Sequence, residues 1–318
     1  MGNCNKNIPE FDIYVNPQKW LVKWQNEYHK SLLLFITGRC DLNCENCFSI
    51  SSRDDNELLP EQIEKIVDAN PDFEKIDLMG GEPLLHSHFS EIVNILKRRG
   101  KQISIYTNAI KLKNISEEDM PIRICVSFHE VVSDNRSRKP LVNIQDGIQY
   151  FLNKGNPVKL VFLLDRYNSN SALEIIDYVE KTFPLLKKLT IGLMRYENDY
   201  WNDSNPGVLS FKEYAFVIQK IVDEYAGRLD LDIFLKGVLR FQNDPGVMYN
   251  RVNRFKCVFQ NLTYSDCLYN ACDPIHEALP YDCKLPQSYE ACKHTGRQYC
   301  LADKVRLKNK MIISGDVQ

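Results

Sequence analysis

The sequence predicts an α/β fold in which six parallel strands form a partial (βα)6 barrel, followed by a small cysteine-rich C-terminal extension. Short apolar runs alternate with segments of helical periodicity between residues 31 and 193, a pattern typical of βαβ units and a parallel sheet. The composition is 44% hydrophobic and 26% charged, which is typical of a folded domain and argues against disorder. After about residue 240, cysteines become frequent and helical periodicity fades.

The six strands are predicted from apolar runs that suit burial on both faces of a sheet. They comprise residues 32–37, 75–79, 103–107, 122–128, 158–164 and 188–193. Apolar residues recur at helical spacing between these runs. The resulting helices comprise residues 60–69, 89–99, 144–153, 171–182 and 211–225. The last helix leads to residues 231–235, whose assignment the pattern leaves open. In such a sheet the functional residues are expected at the carboxyl ends of the strands.

The chain divides into three predicted segments. Residues 1–30 form a polar and aromatic N-terminal extension, residues 31–240 the core domain, and residues 241–318 the cysteine-rich region. The last segment has too few aliphatic residues to build much core alone, so a metal centre is expected to stabilise it.

Charge and cysteine content narrow the possible partners and location. Forty Lys and Arg residues against 42 Asp and Glu residues give a net charge of −2, so no global field favours nucleic acid or an anionic membrane. The longest apolar run, residues 32–36, is too short to span a bilayer, and the first residues lack a signal peptide. We therefore expect a cytoplasmic protein without membrane or nucleic-acid partners. Eleven cysteines in such a protein indicate metal binding.

Three cysteines stand out because a single short segment brings them together. Cys40, Cys44 and Cys47 form a C-x3-C-x2-C motif directly after the first predicted strand. A structural zinc site needs four ligands, and an electron-transfer iron–sulfur cluster normally uses four cysteines. A 4Fe–4S cluster held by three cysteines leaves one iron open, and that iron can bind a substrate or a cofactor.

This motif and three others resemble the radical S-adenosylmethionine (SAM) superfamily. Residues 40–48 match in full, with an aromatic residue directly after the third cysteine. Residues 80–83, Gly-Gly-Glu-Pro, follow the second strand, while residues 106–108 and 126–129 end the third and fourth strands. The matches extend over roughly residues 31–195. The resemblance implies a partial barrel of radical SAM type, a 4Fe–4S cluster bound by the three cysteines, and SAM as cofactor.

The resemblance also assigns residues to SAM. Its methionyl group would chelate the open iron and lie along the Gly-Gly-Glu-Pro segment, and its adenine would lie near Phe48. The implied contacts are Phe48, Gly80, Gly81, Glu82, Pro83, Asn108, Ser127 and Arg195. Glycines lack Cβ atoms, so their backbone can approach the cofactor closely. By itself Gly-Gly-Glu-Pro could be a tight turn, Ser127 a plain strand-end hydroxyl, and Arg195 a structural cation.

A second group of six cysteines lies in the C-terminal region: Cys257, Cys267, Cys272, Cys283, Cys292 and Cys300. Residues 261–272 are interpreted as a β-hairpin with its turn at 265–267, which would bring Cys257 and Cys272 to one metal centre. This arrangement resembles the SPASM and twitch extensions that bind auxiliary clusters, although Cys267 stands where their pattern has glycine and the later SPASM spacing is missing. We expect one auxiliary 4Fe–4S cluster, with the other cysteines competing for its remaining ligand positions. A structural zinc site is the alternative.

The leading functional hypothesis is therefore an oxidoreductase-type radical SAM enzyme. It would cleave SAM reductively to a 5′-deoxyadenosyl radical, abstract hydrogen from a peptide or small-molecule substrate, and oxidise the product through the auxiliary cluster. An electron donor such as flavodoxin or ferredoxin is implied. One alternative is a redox-neutral lyase or rearrangement enzyme with a structural C-terminal metal site. The other is a non-catalytic zinc-binding module.

Overall fold

The structure is a computed structural model. It describes residues 31–44, 47, 49, 53–120, 122–128, 141–193, 207, 209, 211–225, 230–233, 255–265 and 277–285. The helices and strands of these ranges are, in chain order, β1 Ser31–Thr37, α1 Pro60–Ala69, β2 Lys75–Gly80, α2 Phe89–Arg98, β3 Gln102–Thr107, β4 Arg123–Ser127, α3 Leu141–Asn153, β5 Val158–Leu164, α4 Ala172–Thr182, β6 Lys188–Leu193, α5 Phe211–Tyr225, β7 Asp230–Ile233, β8 Phe255–Val258, β9 Thr263–Ser265 and β10 Glu277–Ala278.

The described strands form one sheet in the order β10-β9-β8-β1-β2-β3-β4-β5-β6-β7. Neighbouring strands from β1 to β7 are all parallel. The predicted α/β class and the six predicted strands are therefore confirmed. The segment whose assignment was open becomes β7, which pairs with β6 through Leu189 and Leu231. Consecutive strands of this part are neighbours in the sheet, as short crossover connections favour.

Strand β1 lies at the centre of the fold and is buried on both faces. Leu32, Leu34 and Ile36 point into the main core between the sheet and its helices. Leu33 and Phe35 point the other way, into a smaller cluster on the inner face of the sheet that also contains Met79, Cys257 and Phe259. Burial on both sides explains why β1 is a continuous apolar run with no alternation of polar residues.

The C-terminal strands extend the core sheet on the β1 side. Strand β8 pairs in parallel with β1, placing Cys257 opposite Leu33, and β9 and β10 follow in antiparallel pairs. The β8–β9 turn includes Leu262, whose φ is 58° and whose N–H donates to the carbonyl of Phe259 at 3.0 Å. Ser265, the first residue of the predicted turn at 265–267, ends strand β9, and the other two residues of that turn lie outside the described residues. The polar pair Gln260 and Asn261 falls in the turn, whereas Cys257 and Val258 pair with β9.

Within the described ranges, no helix is long and apolar enough to cross a membrane. The predicted boundary near residue 240 lies outside those ranges, as does the predicted N-terminal extension.

Candidate functional site

The predicted motifs meet at one edge of the sheet, where parallel strands β1, β2 and β3 end. Thr37 at the end of β1 is in register with Gly80 at the end of β2. The cysteine motif follows β1, the Gly-Gly-Glu-Pro segment begins at the end of β2, and Asn108 follows β3. The sequence-based expectation that chemistry-bearing residues gather at the carboxyl ends of the strands therefore holds for these three motifs.

The cysteines lie on a loop that is closed at its base; we refer to residues 38–56 as the cysteine loop. The N–H of Gly38 donates to the carbonyl of Asn56 at 3.1 Å, and the N–H of Leu58 donates to the carbonyl of Ile36 at 2.9 Å. The guanidinium of Arg39 forms an ion pair with Glu57. These contacts fix both ends of the loop to the end of β1, so its thiols are presented from a fixed base.

The three thiols of this loop are partly exposed. The N–H of Leu42 lies 3.4 Å from Cys40 Sγ, and the N–H of Cys47 donates to the carbonyl of Cys44 at 3.2 Å. Burial raises the pKa of the Cys40 thiol to about 11, although the Leu42 bond opposes this effect. Because metals bind thiolates, iron must displace a proton from Cys40.

The residue types of this loop suit an iron–sulfur cluster, whose irons bind cysteine thiolates. Among the described residues, no three His, Cys, Asp or Glu side chains converge on a position for one metal ion. Each cysteine of a 4Fe–4S cluster binds a different iron, so the thiols surround the cluster without meeting at one point. Cys40, Cys44 and Cys47 therefore have the chemistry that such a cluster requires.

Sequence reasoning missed a cation beside these thiols. Arg53 follows the motif, and its Nη2 donates to Cys47 Sγ at 3.3 Å. Its Nη1 donates to the carbonyl of Leu42 within the motif. No spacing rule identifies an arginine at this position. The sequence could have indicated it only as a basic residue near the end of a loop that contains three cysteines.

The two glycines of the Gly-Gly-Glu-Pro segment allow β2 to approach the start of the cysteine loop. A Cβ at Gly80, whose φ is 144°, would lie 2.2 Å from the carbonyl oxygen of Thr37, and one at Gly81 would lie 2.2 Å from that of Arg39. The N–H of Gly81 donates to the carbonyl of Thr37 at 2.8 Å, and the N–H of Glu82 donates to the carbonyl of Arg39 at 2.7 Å. The sequence predicted that the backbone of these glycines approaches the cofactor closely. Among the described residues, this backbone approaches the backbone of Thr37 and Arg39.

Glu82 connects the ends of β2 and β3 from a buried position, with 1% of its surface exposed. Its carboxylate accepts hydrogen bonds from the Thr107 hydroxyl at 2.8 Å, the N–H of Asn108 at 2.7 Å and the N–H of Leu84 at 3.1 Å. Burial raises the pKa of Glu82 to about 7 despite these donors. Pro83 begins a short 3-10 turn, residues Pro83–Leu85, directly after it.

Asn108 joins the end of β3 to the cysteine loop. Its Nδ2 donates to Asp41 Oδ1 at 2.7 Å, and its Oδ1 accepts from the N–H of Ile110 at 2.9 Å. Both polar atoms of the amide thus have protein partners. Ser127 ends β4 and is half-buried, whereas Phe48 and Arg195 lie outside the described residues.

The described C-terminal cysteines lie on opposite faces of the sheet. Cys257 is 0% exposed and belongs to the inner-face cluster. Cys283 packs against the main core on the helix side, and its carbonyl accepts from Asn70 Nδ2 at the end of α1 at 2.7 Å. The structure does not bring these two thiols together. The other four cysteines of this group, Cys267, Cys272, Cys292 and Cys300, lie outside the described residues.

Comparison with known proteins identifies the arrangement. A model of the radical SAM superfamily matches residues 34–199, which contain the three cysteines, the Gly-Gly-Glu-Pro segment and Asn108. The chain belongs to the radical SAM superfamily. Membership implies a 4Fe–4S cluster and SAM, and the donor set at the cysteine loop fits that cluster.

Curated relatives of this radical SAM protein are named as probable GTP 3′,8-cyclases. A probable GTP 3′,8-cyclase of Methanococcus vannielii is 30% identical over 50% of this chain and 57% of its own length. One of Methanothermobacter marburgensis is 39% identical over 53% of this chain and 63% of its own length. This chain therefore spans less than two thirds of either relative.

Solved structures share this fold at low sequence identity. Streptococcus suis SuiB, bound to its precursor peptide SuiA, has a TM-score of 0.62 at 15% identity, covering 78% of this chain and 61% of that chain. Native anSMEcpe with bound AdoMet and Kp18Cys peptide has a TM-score of 0.62 at 14% identity, covering 80% of this chain and 78% of that chain. At these identities the likeness establishes the architecture.

Proposed function

We propose that Cys40, Cys44 and Cys47 hold a 4Fe–4S cluster in which one iron stays open for SAM. The observation that carries the proposal is the closed cysteine loop at the carboxyl end of β1, whose sequence contains these three thiols and no further Cys or His. A bound cluster supplies one low-potential electron to SAM, which is cleaved to methionine and a 5′-deoxyadenosyl radical that abstracts hydrogen from the substrate. The electron comes from a donor such as flavodoxin or ferredoxin.

SAM is proposed to lie along the strand ends beside this loop. The Gly-Gly-Glu-Pro segment borders the site for its methionyl amine, and an ammonium group near Glu82 would favour the ionised carboxylate. The Asn108 amide already bonds Asp41 and Ile110, so its main role is to position the loop. Further proposed contacts are Phe48 near the adenine, Ser127 near the ribose or carboxylate, and Arg195 near the carboxylate.

The substrate is proposed to be a peptide or a small molecule, with net oxidation through an auxiliary cluster in the C-terminal region. The meander of β8, β9 and β10 supports this proposal because it carries Cys257 into the core sheet beside β1. Reduced cysteines in this number suit a reducing compartment such as the cytoplasm.

A redox-neutral lyase or rearrangement enzyme is the second candidate. The names of the curated relatives favour it, since they are probable cyclases. The placement of Cys257 and Cys283 on opposite faces also favours the redox-neutral candidate. This placement leaves one cysteine fewer for any single auxiliary cluster.

Anaerobic reconstitution followed by incubation with dithionite and SAM tests the proposed chemistry. We expect 5′-deoxyadenosine and methionine from the wild-type protein, and neither from a variant with alanine at Cys40, Cys44 and Cys47. Cys125→Ala is the matched control, because its thiol is buried on β4 and lies outside the cysteine loop. Failure of the iron-loaded wild-type protein to form 5′-deoxyadenosine would reject the proposed function.

Iron content separates the two candidates. About four irons per chain favour the redox-neutral reaction, and about eight favour an auxiliary cluster, since each 4Fe–4S cluster adds four. If the auxiliary cluster is present, the double variant Cys257→Ala with Cys272→Ala should lower the iron content from about eight to about four per chain.

A further inference from the structure

Arg53 spans the cysteine loop from the middle of the motif to its last cysteine. Its Nη2 donates to Cys47 Sγ at 3.3 Å, and its Nη1 donates to the carbonyl of Leu42. The planar guanidinium can make both contacts at once because its N–H groups form a rigid fork. The same side chain therefore fixes the backbone of the motif and contacts one of the proposed ligand sulfurs.

Arg53 is half-buried beside these thiols. A partly buried cation is stabilised where negative charge lies close to it, and the sulfur that Arg53 contacts belongs to one of the three cysteines proposed to bind the cluster.

This placement has a consequence for a bound cluster. Reduction adds negative charge, and the reduction potential of an iron–sulfur cluster depends on its net charge and on hydrogen bonds to its sulfurs. A fixed cation that donates to a ligand sulfur stabilises the reduced form.

We infer that Arg53 is a positioning residue that holds the Cys47 sulfur through its N–H and raises the reduction potential of the SAM-binding cluster. The inference rests on the proposed cluster at Cys40, Cys44 and Cys47. Arg53 lies outside the cysteine motif, so a residue other than the ligands would control the reduction potential of the cluster.

Potentiometric titration followed by electron paramagnetic resonance tests this role in the reconstituted full-length protein. The signal that changes on adding SAM identifies the cluster with the open iron. With Arg53→Gln, we expect the ratio of reduced to oxidised cluster at the wild-type midpoint to fall about tenfold, a shift of about 59 mV for one electron. Arg53→Lys should shift less, because it keeps the charge but loses the fork.

Arg166→Gln is the matched control, since Arg166 pairs with Glu213 away from the cysteine loop and should leave the midpoint unchanged. An iron-loaded Arg53→Gln protein with the wild-type midpoint would overturn the inference. If this variant folds by circular dichroism but does not load iron, Arg53→Lys carries the test: a lowered midpoint supports the role and a wild-type midpoint contradicts it. A SAM-responsive cluster that survives alanine substitution of all three cysteines contradicts the proposed function itself, whatever Arg53 does.

Discussion

At the scale of single residues, Glu82 links two strand ends through one buried carboxylate. Thr107, Asn108 and Leu84 all donate hydrogen bonds to this carboxylate. If an NH2 group replaces one oxygen, it faces one of these donors and that hydrogen bond is lost. We expect Glu82→Gln to lower the free energy of unfolding by about 1–3 kcal/mol, measured by urea denaturation at pH 8. The exposed Glu118→Gln should change it by less than about 0.5 kcal/mol.

The pH dependence of stability gives a second test of Glu82. Its pKa is raised by burial from 4.5 to about 7 in the folded protein, so between these values the folded state holds a proton that the unfolded state has lost. Stability from this group is complete below pH 4.5 and is lost as the pH rises through 7. From pH 6 to pH 8 the wild-type protein should lose about 1 kcal/mol relative to Glu82→Gln. Parallel stability curves for the two proteins would contradict this assignment.

The glycines at the end of β2 are expected to be intolerant of a Cβ for a steric reason. Gly80→Ala places a methyl group 2.2 Å from the Thr37 carbonyl at a φ of 144°. Gly100→Ala also has a positive φ, 65°, but meets nothing within 4 Å, so it measures the milder strain of the left-handed helical region without a clash. We expect about 1 kcal/mol of destabilisation for Gly100→Ala and about 3 kcal/mol or more for Gly80→Ala, by thermal or urea unfolding. Equal effects would assign the cost to backbone strain alone.

The sequence predicted the site residues that form motifs of fixed spacing, but it did not predict Arg53, which belongs to no motif. The cysteine motif and the Gly-Gly-Glu-Pro segment lie at fixed places after strands, so both were identified. Arg53 acts through a long side chain that folds back over the loop, and a basic residue in a polar stretch has no distinctive pattern. The family resemblance assigned the Asn108 amide to SAM. Its bond to Asp41 could not be predicted, because it joins residues 67 positions apart in the sequence.

At the scale of elements, the cysteine loop depends on the end of β3 as well as on its own base. Asn108 donates to Asp41 in the motif, so Asn108→Asp should place two carboxylates against each other and loosen the loop. We expect faster loss of iron to a chelator in this variant. Combining it with Asp41→Asn restores a donor and an acceptor and should recover part of the retention, with a coupling of about 1 kcal/mol. Strictly additive effects would show that the bond does not hold the loop.

At the scale of the whole molecule, the parallel core could be predicted and the attachment of the C-terminal region could not. Strands β1 to β6 follow one another in chain and in space, because each connection returns the chain to the neighbouring position in the sheet. Strand β8 has four residues and pairs with β1 more than 200 positions earlier in the chain. So short a segment carries no periodicity that identifies its partner in the sheet.

This attachment restricts which cysteines can share an auxiliary cluster. Cys257 points to the inner face of the sheet and Cys283 packs on the helix side, so a single cluster can take one of them and not both. Given a wild-type content of about eight irons per chain, we expect only one of Cys257→Ala and Cys283→Ala to lower it to about four. The favoured ligand is Cys257, because β8 lies beside the strand that leads into the cysteine loop. If both substitutions remove four irons while the fold remains intact by circular dichroism, the two thiols share a cluster and their separation across the sheet is contradicted.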